Sequence, residues 1–332
     1  MENKGILLCG ETAEGKLAPI TLQLLGIGRK LADELGEKLS ILLMGSGLAG
    51  LGQQAVALGA DRVYLADDPL LDNYNSDAGT YVAANLCQQL LPAILLLGQT
   101  DVGRDLAPRL AGRLKTGLAM DCTALAIDPQ TRLLIRTRPV YGGNADATVI
   151  SRTTRPQMAT IRTGMMKPAE PDDSRRGEVI AWGGTIDPSV IKVKVIERVK
   201  EEREGVRLEE ADVVVSGGRG MGSSENFKAI ENLAHLLGGA MGATRIACEE
   251  KWVPATYQVG QTGKMVSPKL YIAVAISGAT QHLAGCAGSR CIVAINKDPQ
   301  ANIFKVAHLG IIGDWKEALP ALTRKLEELL AK

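Results

Sequence analysis

Two groups of residues in this chain have the types and spacing of nucleotide cradles. The first is MGSGLAG, where Gly45, Gly47 and Gly50 satisfy G-x-G-x-x-G directly after the apolar run LSILL. Asp67 closes the next strand-like run about 20 residues later, where a ribose ligand stands in dinucleotide sites. The same pattern also describes a small-residue turn packing a short helix against a sheet, and spacing alone leaves both readings open. The second group is denser: SGGRG (Ser216–Gly220), QVGQTG (Gln258–Gly263), SGATQH (Ser277–His282), Asn296-Lys297-Asp298 and Gly313-Asp314 stand where extended segments end. In an open parallel sheet the carboxyl ends of the strands line one edge, and ligands bind there.

SGATQH offers two chemistries. A nucleophile elbow requires G-x-S-x-G, and no glycine stands two residues before Ser277. A phosphate cradle requires a hydroxyl and exposed amides at the start of a helix, which Ser277, Gly278 and Ala279 supply. The cradle is the reading that fits. His282 would face either the ligand or the domain interior, while His235 and His308 sit in helix-like or apolar contexts and read as structural. The alternative function is a self-contained nicotinamide-dependent oxidoreductase using Gly45–Gly50, and it lacks an evident acid–base constellation.

The elements that would position these groups are those of an α/β protein. The first half alternates strand-like and helix-like segments: GILLCGE, a helix near Leu17 to Leu35, LSILLMG, RVYLAD, a helix near Tyr81 to Leu90, and AILLLGQ. That alternation implies a parallel sheet covered by helices. Between about Met120 and Gly164 the chain turns rich in Thr, Val and Ile, which suggests an added antiparallel section. MMKPAEPDDSRRGEV reads as a surface loop, and VIKVKVIERV as a further strand leading into the charged KEEREGVRLEE. The expected organisation is a first domain over residues 1–199, a linker over 200–209 and a second domain over 210–332. In the second, a helix from Glu225 to Leu237, strands TRIACEE, YIAVAI and CIVAINKD, the short GIIGD and a helix from Lys316 to Ala331 follow ADVVVSGG. Both domains are expected to be mostly parallel sheets with flanking helices, the second Rossmann-like.

The chain's 332 residues exceed the roughly 250–300 at which single cores stop growing. Its 38 basic and 37 acidic residues leave a formal charge of only +1, which disfavours nucleic acid and anionic membranes as partners. Aromatic residues are 3% of the chain, too few for base-stacking platforms. No apolar run approaches the ~20 residues of a membrane span, and MENKGILLCGE enters a strand with no leader pattern, so a cytoplasmic protein is expected. Six scattered cysteines without C-x-x-C spacing read as free thiols, and no metal site is expected.

VVVSGGRGMGSSENF, GATRIACEEKWVPATYQVGQTGKMVSPKLYIAVAISGATQHLAG and IVAINKDPQANIFKVAHLGIIGDW closely resemble the FAD-binding domain of the electron-transfer flavoprotein α subunit. The likeness runs from about Ala211 to Asp314, and the first half is more weakly similar to that family's N-terminal domain. The resemblance implies an electron carrier rather than a stand-alone enzyme. It would carry FAD, pair with a β subunit as a heterodimer, and pass electrons between flavin dehydrogenases and a downstream redox acceptor. Some heterodimers of the family hold AMP in the β subunit. Electron-bifurcating ones hold a second FAD there and oxidise NADH, and the α chain is common to both. The family's N-terminal domain contacts the partner and holds no dinucleotide, which implies a packing role for Gly45–Gly50.

By the same resemblance, FAD contacts fall on Arg219, on Thr244 and Arg245, on Val259, Gly260, Gln261 and Thr262, and on Ser277, Gly278, Ala279, Thr280, Gln281 and His282. Asn296, Asp314 and Trp315 complete them. Amides and Arg219 suit the pyrophosphate, Asp314 the ribose hydroxyls, and Asn296 the sugar or the adenine. Thr262 by flavin N5, Arg245 over the ring and His282 near the C2 carbonyl would tune the flavin toward its reduced, negatively charged form. The sequence departs from the family at Thr244, where serine is common, and at Thr280 and Trp315, where smaller or apolar residues are common.

Overall fold

A strand buried on both faces shows no polar alternation, and ILLCG is such a run. β1 (Ile6–Gly10) is buried at every position. It lies inside a seven-stranded sheet of the computed structural model, which describes residues 3–143, 145–197 and 206–330. A small hairpin, β2 (Thr12–Ala13) and β3 (Lys16–Leu17), leads to α1 (Pro19–Leu35) and β4 (Leu39–Gly45). There follow α2 (Leu51–Ala57), β5 (Arg62–Asp67), α3 (Ser76–Leu90), β6 (Ile94–Gly98), α4 (Asp101–Leu114) and β7 (Leu118–Cys122). β8 (Ala124–Ile127), β9 (Leu134–Val140) and β10 (Ala145–Val149) make a separate three-stranded sheet, before β11 (Gln157–Ile161) and β12 (Glu178–Ala181) return to the first one.

The large sheet has the order β12-β5-β4-β1-β6-β11-β7, and its neighbouring strands run parallel. Alternate residues of β1 feed two cores: Ile6 and Leu8 pack with α1 and α2, Leu7 and Cys9 with α3 and α4. Helix ends follow local chemistry. Pro19 opens α1, and Gly36 closes it at φ 64°. The Asn75 side chain accepts from the amides of Asp77 and Ala78 at the start of α3.

Two expectations for the first half change here. The antiparallel section is confined to the small sheet, whose β8 and β9 pair antiparallel, while β7 and β11 flanking it are parallel members of the large one. The strand expected over VIKVKVIERV is absent from its described part: residues 191–197 are irregular and mostly exposed. The rest of that run, and residues 200–205 of the expected linker, lie outside the described residues. The contact pattern divides the chain into two units. One comprises Met1–Pro139 with Asp146–Lys200, the other Val140–Ala145 with Glu201–Lys332.

The second unit holds β13 (Val213–Gly217), α5 (Phe227–Leu236), β14 (Ala240–Ala243), α6 (Arg245–Glu249), β15 (Leu270–Val274), α7 (Thr280–Cys286), β16 (Ile292–Asn296), β17 (Leu309–Ile312) and α8 (Trp315–Leu330). Its five strands are parallel in the order β14-β13-β15-β16-β17, with a core on each face. TRIACEE is not a strand. The edge strand is the preceding AMGA, and Thr244 in extended conformation starts α6. Close packing selects those small residues: a Cβ on Gly242 would lie 2.3 Å from Ser216 Oγ.

Candidate functional site

Counted within the second unit, the strand order is 2-1-3-4-5, and its topological switch point lies between the carboxyl ends of β13 and β15. Gly218–Gly220 leave β13 there, and Ala275–Ala279 leave β15. The two turns are pressed together: the Gly218 amide donates to the Val274 carbonyl at 2.9 Å, and a Cβ on Gly218 would lie 2.2 Å from the Ala275 carbonyl oxygen. Ala275 itself takes φ 54°, a left-handed conformation that L-alanine adopts only when its surroundings impose it.

The other motif residues line the same edge. Thr244 and Arg245 follow β14, and the Thr244 amide donates to the Gly217 carbonyl at 3.0 Å. Val259 lies beside β14's end, its amide donating to the Ala243 carbonyl at 2.9 Å. Gln261 is tied to the start of α7 by a 2.8 Å bond from its amide to the Gln281 carbonyl. Asn296 ends β16 with both sides of its amide engaged: Nδ2 donates to the Ile276 carbonyl, and Oδ1 accepts from the Asp298 amide. Asp314 caps α8 through Oδ1, accepting from the Lys316 amide, and Trp315 Nε1 donates to the Gly220 carbonyl at 3.1 Å. All sixteen residues implied by the resemblance therefore fall in the second unit, on the loops and helix starts that follow its strands. Arg219, Arg245, Gln261, Thr262, Ser277, Ala279, Thr280, Gln281 and Asp314 are exposed on it.

His282 is the exception. It is 6% exposed and points inward. Nδ1 lies 3.0 Å from the Val259 carbonyl and Nε2 2.8 Å from the Tyr271 hydroxyl. Burial pushes its pKa down to about 4, against a smaller opposing effect of the bond to Val259, so the ring is neutral near pH 7. Of the two orientations open in the sequence, the structure has the interior one. Both ring nitrogens are thus engaged inside the unit.

Two residues escaped the sequence reading. Tyr271, fully buried on β15, carries no signal in an apolar run. Glu249 accepts from Arg245 Nε at 2.7 Å as an i,i+4 pair on α6, a spacing visible only once TRIACEE is helical.

A bound dinucleotide must fit this edge, and one atom tests that. Thr244 Oγ1 is buried without a hydrogen-bond partner, a state that costs roughly 1–3 kcal/mol and that a polar ligand atom would relieve. With Ser277, the turn amides and the exposed guanidinium groups of Arg219 and Arg245 on the same edge, the donor set suits an anionic, hydroxyl-bearing nucleotide. Among the described residues no cluster could hold a metal ion, and no helix is long and apolar enough to cross a membrane.

The G-x-G-x-x-G turn of the first unit is differently disposed. Asp67 uses both carboxylate oxygens on it, Oδ1 accepting from the Gly47 amide at 2.8 Å and Oδ2 from the Leu48 amide at 2.9 Å. The amides that would meet a pyrophosphate, and the carboxylate that would meet a ribose, are bonded to each other. At the switch point of that sheet, between β1 and β6, Glu11 accepts from the Thr100 hydroxyl at 2.6 Å, and burial raises its pKa.

The second unit is thus a nucleotide-binding α/β domain, and comparison with known proteins names its family. A profile described as "Electron transfer flavoprotein domain" matches residues 6–185, and one described as "Electron transfer flavoprotein FAD-binding domain" matches residues 207–287. The chain is 46% identical to the electron transfer flavoprotein subunit alpha of Thermoanaerobacterium thermosaccharolyticum, over 98% of both chains. It is 46% identical to that of Megasphaera elsdenii, over 98% of this chain and 97% of the other. A protein FixB of Clostridium saccharobutylicum is 44% identical over 99% and 98%. The chain belongs to the electron transfer flavoprotein α-subunit family. Its role is electron transfer, its second domain is the FAD-binding one, and the nicotinamide alternative falls away.

Proposed function

We propose that this chain is the FAD-carrying subunit of a cytoplasmic heterodimer. A β subunit completes the flavin's surroundings, and electrons pass between flavin dehydrogenases and a redox acceptor. The exposed edge supports the need for a partner: the residues assigned to the flavin end, Arg245, Gln261 and Thr262, are exposed on this unit, and aromatic side chains to cover a ring are scarce. The six free thiols agree with a reducing compartment.

FAD supplies one- and two-electron chemistry at its ring when bound. The chain's own residues hold and bias it. Ser277 with the Gly278 and Ala279 amides, and the Arg219 guanidinium, would take the pyrophosphate; Asp314 and Asn296 would take the adenosine end. Thr262 Oγ1 accepts from Gln258 Nε2 at 2.9 Å, which leaves its own hydrogen to donate toward the ring. Arg245 supplies the positive charge that favours added electrons. His282, neutral and inward, supports the Val259–Thr262 loop instead of adding charge.

The unpartnered Thr244 hydroxyl carries this reading. Thr244→Val keeps the volume and removes the hydroxyl, so the FAD dissociation constant should rise about tenfold while the flavin-free protein loses no thermal stability. Unchanged FAD affinity by fluorescence titration would remove this edge as the cofactor site.

A further inference from the structure

The Val259–Thr262 loop rests on α7 backbone to backbone. A Cβ on Gly285 would lie 2.3 Å from the Gly260 nitrogen, and the Val266 amide donates to the Gly285 carbonyl at 2.7 Å. One side-chain path crosses the interior to the same loop. A carbonyl only accepts, so the bond at Val259 places the proton on His282 Nδ1; Nε2 is then an acceptor, and the Tyr271 hydroxyl must donate to it. Tyr271, His282 and Val259 are 0%, 6% and 1% exposed, so water does not substitute for any of them. Ser216 and Cys286 lie within interaction range of the Tyr271 hydroxyl.

We propose that Tyr271 is a positioning residue for the cofactor loop. Its hydroxyl orients the His282 imidazole, whose Nδ1–H pins the Val259 carbonyl and with it the loop that presents Gln261 and Thr262. β15, in the middle of the sheet, thereby sets the geometry of a loop at its margin. This deepens the proposed function and rests on it only for the statement that the loop meets the flavin.

Tyr271→Phe removes one oxygen from a packed site and leaves the ring, so the fold is retained; His282→Gln is the harsher companion. Hydrogen exchange on the full-length chain should show the amides of Val259, Gly260, Gln261, Lys264 and Val266 exchanging about tenfold faster in Tyr271→Phe, with β13 and β16 unchanged. No change there, or an equal acceleration across the whole unit, overturns the proposal. Imidazole nitrogen NMR gives an independent reading, since the chain has only three histidines. His308 Nδ1 accepts from the Ile292 amide and so carries its proton on Nε2 when neutral, whereas His282 should show the opposite tautomer. An Nε2–H tautomer at His282 also overturns it. If exchange rises at the loop while FAD affinity stays constant, the positioning role stands and the assignment of the loop to the flavin falls.

Discussion

Asp67 accepts from the backbone amide of Gly47 at 2.8 Å, and so occupies from within the turn that its G-x-G-x-x-G pattern would offer to a pyrophosphate. A ligand there would have to displace a carboxylate held by two amides. Asp67→Ala should lower the stability of the first unit by about 1–2 kcal/mol, the worth of two bonds to a charged acceptor at an exposed turn. FAD content should be unaltered, and the unaltered protein should not quench NADH fluorescence at this turn. A variant as stable as the parent in urea would show that Asp67 does not organise the turn.

The two glycine motifs should respond differently to substitution. Gly278 has φ 82°, and its Cβ would lie 2.2 Å from the Ile303 nitrogen, a backbone atom that cannot rotate away. Gly278→Val should displace the Ser277–Ala279 turn and abolish FAD binding. Gly47 has φ 72° but open space around it, so Gly47→Ala should cost about 1 kcal/mol of strain and leave FAD content unchanged. Equal flavin loss in both folded variants is the outcome that contradicts the assignment.

Arg245 should set the flavin potential. Its side chain is 65% exposed and shared with Glu249, so its field at the ring is screened. Arg245→Ala should lower the reduction potential by a few tens of millivolts, equivalent to about 1 kcal/mol, while most FAD is retained. Lysine should restore part of it, keeping the charge without the planar fork. A spectroelectrochemical titration showing the alanine variant at the parent's potential would reduce Arg245 to a structural contact.

His282 should make the second unit acid-sensitive. Its pKa falls from 6.5 to about 4 on folding because burial disfavours the charged ring. Unfolded chains take up the proton first as pH drops, so this contribution is present above about pH 6.5 and is lost progressively down to about pH 4. The loss amounts to about 3 kcal/mol. Denaturant midpoints across that range should show the slope in the parent and its absence in His282→Gln; matching slopes would mean that His282 titrates normally.

Much was fixed by residue order alone. Runs such as ILLCG and LYIAV are short and apolar, as inner strands of parallel sheets are, and the turns after them carry glycines where φ is positive or backbones touch, as at Gly278. SGGRG, QVGQTG and SGATQH are therefore legible as one edge from residue order. What the sequence could not supply were contacts between side chains and segments distant along the chain. Whether a glycine turn is open or closed depended on a carboxylate 20 residues away reaching back to it. TRIACEE is expected as a strand, yet AMGA, whose Gly242 packs against Ser216, forms the sheet edge, and Thr244 starts a helix instead. The inward direction of His282 was decided by Tyr271 and the Val259 carbonyl, which meet it only after β15, α7 and the loop have packed. Periodicity reports which face of an element is apolar; the partner of a single polar atom is chosen by tertiary packing, because a hydrogen bond needs a donor and an acceptor within about 3 Å and the chain sets that distance last.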